Sequence, residues 1–166
     1  MKEDLMDYQV KNHQHFHLIG IRIDIKVDLA FKEIPQFWND FNKKMNSDPT
    51  FKEYVLNNEI GTYGVTINDE EDMNLIHYYI AGIKKSDSLY EGIEELHLED
   101  SLWAHFPTKG SYPACLQTLN YKIYSEWFPH SDYTFHYDAS IEYLPYGNRQ
   151  KDDYQCELWI PVIKKN

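Results

Sequence analysis

The chain has 166 residues, enough for one domain whose core is built without disulfides or a structural metal. Its 42% hydrophobic and 16% aromatic content excludes wholesale disorder, and no apolar run is long enough for a spanning helix, so no membrane partner is expected. A formal charge of −11 repels phosphate backbones, so direct nucleic-acid binding is not expected either; the same field attracts basic proteins and positively charged small molecules.

The opening MKEDLMDYQV carries acids where a secretory signal needs basic residues, which predicts a cytoplasmic location. His13, His15 and His17 alternate and would share a face of an extended strand, but no acid or cysteine completes a ligand set, so neither a metal nor a cofactor is predicted. From His17 to Val27, HLIGIRIDIKV alternates isoleucines with polar residues and predicts a half-buried strand. From Ile34 the period changes: Ile34, Phe37, Trp38, Phe41 and Met45 form one stripe of an amphipathic helix, which Asn46-Ser47-Asp48-Pro49 stops.

Ile60 to Asn68 and Ile76 to Lys84 read as two strands joined by the acidic turn Asp69 to Asp72, a solvated hairpin tip without calcium-loop spacing. Lys85 to Glu99, with Ser-Asp-Ser and scattered acids, reads as a linker. Ser101 to Thr108 predicts a strand, and Lys109-Gly110-Ser111-Tyr112-Pro113 a turn with Ser111 as helix cap. Leu116, Leu119, Ile123 and Trp127 then repeat at helical spacing until Pro129, and Ser140 to Pro145 and Cys156 to Lys164 read as the last two strands.

Each half thus reads strand, helix, strand, strand. Shifting the first half by about 80 positions lays Tyr63 on Tyr143 and His77-Tyr78-Tyr79-Ile80 on Glu157-Leu158-Trp159-Ile160. The prediction is an α+β single domain over residues 1–166, with pseudo-repeats at about 16–85 and 100–165. Duplicated β-α-β-β units would form an antiparallel sheet with two helices on one face and a ligand groove between the halves.

Strand alternation separates Cys156, Leu158, Ile160 and Val162 from Gln155, Glu157, Trp159 and Pro161, so the apolar set should face the helices. Glu157 then has two readings. One is an ordinary exposed sheet face. The other is a carboxylate on the floor of an aromatic pocket, where reduced solvation and cation–π attraction select flat, lipophilic cations. Trp159, Tyr79, Tyr63, Tyr143 and Trp103 are the candidate aromatic walls of such a ligand-binding site.

Other candidates read as structural. Cys115 and Cys156 are too few and too distant in sequence for a disulfide framework and read as small core residues. His105, His130 and His136 have no serine or cysteine nucleophile at a recognisable elbow and read as satisfied or exposed. Trp38 and Trp127 lie on helix stripes and read as core, and the lack of a glycine-rich loop gives a nucleotide site no support.

Lys109-Gly110, Glu126-Trp127-Phe128-Pro129, Glu142-Tyr143-Leu144 and the terminal Glu157 to Val162 together resemble the GyrI-like, AraC-type effector-binding domain family. The N-terminal half agrees more loosely, through the Gly20 strand, Ile34 to Trp38 and Tyr63-Gly64-Val65. The resemblance implies a duplicated fold whose groove binds lipophilic, often cationic, small molecules, with the acid matching Glu157 facing the ligand. The stretch ahead of the first strand is too short for a helix-turn-helix, so the likeness is to freestanding members. It implies two alternatives. One is hydrolysis of reactive cyclopropane-bearing natural products, with Glu157 as general acid or base beside Tyr63 or Tyr143. The other is a protein-interaction module that modulates DNA gyrase or a transcription regulator.

Overall fold

The computed structural model describes residues 6–13 and 17–166; His15 lies outside the described residues. In chain order the elements are β1 (Gln9–His13), β2 (Leu18–Lys26), α1 (Ala30–Ser47), α2 (Pro49–Asn57), β3 (Tyr63–Asn68), β4 (Leu75–Ile83), β5 (Glu94–Leu96), β6 (Ser101–Lys109), α3 (Ala114–Lys122), β7 (Tyr133–Phe135), β8 (Ala139–Tyr143) and β9 (Gln155–Lys164). The fold is α+β and its strand pairs are antiparallel. No helix of the described residues is long and apolar enough to cross a membrane.

Five features depart from the sequence reading, the short β7 on β9 among them. Asp48-Pro49 ends α1 but also starts α2: the Asp48 carboxylate accepts from the Thr50 and Phe51 amides, and Pro49 occupies the first turn, where its missing N–H costs nothing. Within the expected linker, β5 pairs with β2, Leu96 opposite Leu18. Ser111 does not cap α3 through its side chain; the helix begins at Ala114, and the Ser111 carbonyl accepts from the Cys115 amide. The N-terminal segment forms β1, an additional strand on β6.

The chain divides into two compact units, His15–Leu98 and a second made of Glu99–Asn166 with the N-terminal segment. In the first unit the strand order is β3-β4-β2-β5. Ile21 stands opposite Ile80 and Ile23 opposite Tyr78, so these side chains share the face that α1 and α2 cover with Phe41, Phe51 and Val55. Each fully buried large apolar side chain there contributes about 1.5–3 kcal/mol. Trp38 donates its indole N–H to the Tyr78 hydroxyl at 2.8 Å, which fixes α1 on β4. Gly82 permits the close approach of the chain after α2, since a Cβ there would collide with the Asn58 carbonyl and the Ile60 amide.

In the second unit β9 lies between β6 and the pair β7 and β8, which flank its opposite ends, and β1 pairs with the far edge of β6. Phe106 opposite Leu158, Ala104 opposite Ile160 and Leu102 opposite Val162 form one face. Leu116 and Leu119 of α3, and Ile123 and Trp127 of the π-turn that continues it, supply the buried helical side of the core. Phe106 and Trp127 meet edge to face at 4.8 Å. The other face carries Trp103, His105 and Pro107, opposite Pro161, Trp159 and Glu157.

The two units share a strand plan but not the expected register. Val65 stands opposite Tyr79 as Ile141 stands opposite Trp159. Where His77 is matched to Glu157, the place of Tyr143 falls to Ile67, while Tyr63 pairs with Ala81. Hairpin length, which a shift of sequence cannot see, sets this register.

Candidate functional site

Strand alternation and ladder register place Glu157, Trp159 and Tyr143 together on the helix-free face of the second unit. Tyr143 lies directly across from Glu157 on β8, and Pro107 directly across on β6. The Trp159 indole N–H donates to Glu157 Oε1 at 2.8 Å, a charge-assisted bond that fixes the carboxylate beside the ring. The Glu157 side chain keeps 34% of its exposure. An open pocket of about 590 Å³ is lined by Glu157, Tyr143, Pro107, Asp7 and Lys109, with Gln155 and Cys156 at its β9 wall.

Behind the carboxylate the rings are stacked. His105 lies over Trp159 with centroids 4.0 Å apart, His13 over His105 at 4.9 Å, and Tyr143 on Trp159 at 5.7 Å. The two histidines meet through their Nε2 atoms at 2.8 Å. Burial holds the His105 imidazole far below its ordinary value, at about 3, and His13 and Lys11 push it the same way. His13 is lowered too, by burial and then by Lys11. Both rings are therefore neutral at neutral pH, so one Nε2 donates and the other accepts.

The carboxylate decides which. His105 Nδ1 is buried without a hydrogen-bond partner and sits 3.5 Å from Glu157 Oε1. An unprotonated Nδ1 would set a lone pair against a carboxylate oxygen, so the favoured tautomer carries the proton on Nδ1, and His13 donates to His105 Nε2. Among the described residues no Lys or Arg lies within ion-pairing distance of Glu157. The site is a half-buried anion set among neutral rings.

Trp103 shares this strand face opposite Pro161 but is fully buried, with Tyr137 packed edge-on against it at 6.1 Å, and it does not line the pocket. Tyr63 and Tyr79 lie in the first unit, on the face of β3 and β4 away from α1 and α2, and both are buried. Trp38 and Trp127 pack where the helix stripes place them. The reading of His105 as satisfied or exposed is corrected: it is buried and its Nδ1 lacks a hydrogen bond. Sequence reasoning missed the roles of His105 and His13. Alternation of Trp103, His105 and Pro107 along SLWAHFPT was the available signal for the first, and β1 carries none for the second. Among the described residues no cluster of His, Cys, Asp and Glu has the makings of a metal site.

Residues 9–162 match the family Cass2, described as integron-associated effector binding protein. The chain belongs to this family. It is thus an effector-binding protein. Among curated proteins no relative matches the chain. SAV2435 bound to tetraphenylphosphonium is 20% identical with a TM-score of 0.76, over 95% of this chain and 94% of that one. An integron cassette protein, Cass2, from the mobile metagenome of Vibrio cholerae is 16% identical with a TM-score of 0.67, over 94% and 95% of the two chains. The EcmrR C-terminal domain is 16% identical with a TM-score of 0.60, over 97% and 99%. These likenesses establish a shared fold of the GyrI-like kind, as the C-terminal motifs imply.

Proposed function

We propose that the protein binds lipophilic, cationic small molecules, with Glu157 as the counter-charge, Tyr143 as the aromatic contact at the pocket wall, and Trp159 as the ring that positions the carboxylate and takes part where the ligand reaches its edge. The observation that carries this reading is the Glu157 carboxylate, held in place by the Trp159 N–H, lining the pocket and, among the described residues, ion-paired with no Lys or Arg. A ligand charge about 5 Å away gains ~3 kcal/mol at an effective dielectric of 20, of which about 1–2 kcal/mol survives solvent screening at a half-exposed group. Aromatic surface adds ~0.5–2 kcal/mol per cation–π contact. Asp7 adds a second negative charge to the pocket lining against the single Lys109.

Tetraphenylphosphonium, a cation wrapped in phenyl rings and bound by the similar SAV2435, has the chemistry this site selects. Titrating the protein's tryptophan fluorescence with tetraphenylphosphonium and with neutral triphenylphosphine oxide tests the reading. Saturable quenching that favours the cation, with both ligands recovered at unchanged mass, is expected. Equal affinity for the two would remove the charge from the account, and a changed ligand mass would replace binding by turnover.

A further inference from the structure

We propose that Cys115 and Cys156 form a reversible disulfide that links peroxide exposure to the shape of the ligand pocket. They are the chain's two cysteines, one in the first turn of α3 and the other near the start of β9. Although far apart in sequence, their Sγ atoms lie 3.7 Å apart. Sulfurs this close need to approach by little more than 1.5 Å to reach the bonded separation of about 2.05 Å.

The two thiols differ in access, and the difference assigns their roles. Cys115 is half-buried and can be reached from solvent, whereas Cys156 is buried. Burial, with Cys115 close by, pushes the Cys156 thiol up to about 12, so it stays protonated and unreactive on its own. A peroxide therefore reacts first at Cys115. The sulfur attacks the peroxide, an S–O bond forms as the O–O bond breaks, and the thiol proton leaves with the departing oxygen as water. Cys156 then attacks the Cys115 sulfur; the S–S bond forms, the S–O bond breaks, and the second thiol proton leaves in a second water. Two thiols are oxidised and one hydrogen peroxide is reduced to two waters. An external dithiol reverses the reaction by exchange.

Closure moves α3 more readily than β9, because β9 is hydrogen-bonded to strands on both sides. The turn before α3 runs close to Cys115, where a Cβ in place of the Gly110 hydrogen would lie only 3.1 Å from the Cys115 Cβ. Lys109, one residue earlier, lines the pocket, as do Cys156 and the adjacent Glu157. Drawing the start of α3 toward β9 therefore narrows the pocket from its Lys109 side and weakens binding of a bulky cation. This coupling rests on the reading of the pocket given above; the disulfide itself does not.

The test treats the full chain with stoichiometric hydrogen peroxide and reads intact mass and free thiols under denaturing conditions. The expected product is a monomer lighter by two hydrogens, restored by dithiothreitol and absent in both Cys115→Ser and Cys156→Ser. Addition of oxygen to one cysteine, cross-linked dimers, or thiols that survive while an exposed model thiol is consumed would each overturn the disulfide. Tetraphenylphosphonium affinity is then compared between oxidised and reduced protein. A loss of threefold or more on oxidation is expected, and an unchanged affinity would overturn the coupling while leaving the disulfide standing. If neither form binds the cation, the pocket reading and the coupling fail together, and the mass result still decides the disulfide.

Discussion

The central strands β4 and β9 hold corresponding places in their units, yet the same strand plan treats charge in opposite ways. On β4, His77 is clamped between Asp24 at 2.6 Å and Asp69 at 2.8 Å, and beside it Arg22 pairs with Asp24 and Glu94. The hydrogen bond to Asp24 raises the His77 pKa, and each of these acids has a basic side chain against it. On β9, Glu157 has a tryptophan N–H and a neutral histidine as neighbours instead. Acids already paired with basic side chains attract a ligand's charge less than an anion set among neutral rings does. This difference supports the proposal that a cationic ligand binds at β9 rather than at β4.

Breaking the ring stack should have the largest effect. Trp159→Ala removes the ring that touches Glu157, His105 and Tyr143, and should cost ~3–5 kcal/mol of unfolding free energy in urea denaturation, with loss of cation binding. A loss under about 1 kcal/mol would mean that the stack does not organise the unit.

Acid sharpens the contrast next. With its folded pKa depressed from 6.5 to about 3, His105 contributes stability that is full above pH 6.5 and is lost as pH falls toward 3, because the unfolded chain takes up a proton that the native ring refuses. Its share of the slope reaches at most about 1.4 kcal/mol per pH unit. Urea midpoints of wild type and His105→Gln across that window should diverge by this slope; parallel profiles would contradict a neutral buried ring.

Trp159→Phe is a milder probe, retaining an aromatic ring while deleting the N–H that holds Glu157 Oε1. It should cost about 1 kcal/mol of stability and weaken cation binding several-fold by titration calorimetry. Full affinity in this variant would show that the carboxylate needs no positioning.

The smallest effect belongs to the other unit. The raised pKa gives His77 a stabilising contribution that is present below pH 6.5 and lost as pH rises through the folded value, opposite in sign to His105. His77→Gln should therefore lower the thermal midpoint slightly at acid pH and not at alkaline pH.

Much of this was legible in the sequence where a single element carries the signal. The alternation of Cys156, Leu158, Ile160 and Val162 against Glu157 and Trp159 predicted which face of β9 packs on helices, and the Ile34 to Met45 stripe predicted α1. What escaped depends on pairing between distant segments. QVKNH has no apolar alternation and is a strand because β6 offers it an edge. Gln155 to Val162 does not say that His105 will lie over Trp159, nor that Cys115 will come to rest against Cys156; the β6–β9 register and the docking of α3 decide both. Asp48-Pro49 reads as a stop in the sequence because a helix boundary looks alike from either side, although the same cap serves the helix that follows.

The most direct test of the central claim is calorimetric titration of wild type and Glu157→Gln with tetraphenylphosphonium and with neutral triphenylphosphine oxide. The account predicts a roughly tenfold loss of cation affinity in the variant, ~1.4 kcal/mol, with the neutral ligand unchanged within about twofold. Equal cation affinity in both proteins, or an equal loss for both ligands, would contradict it.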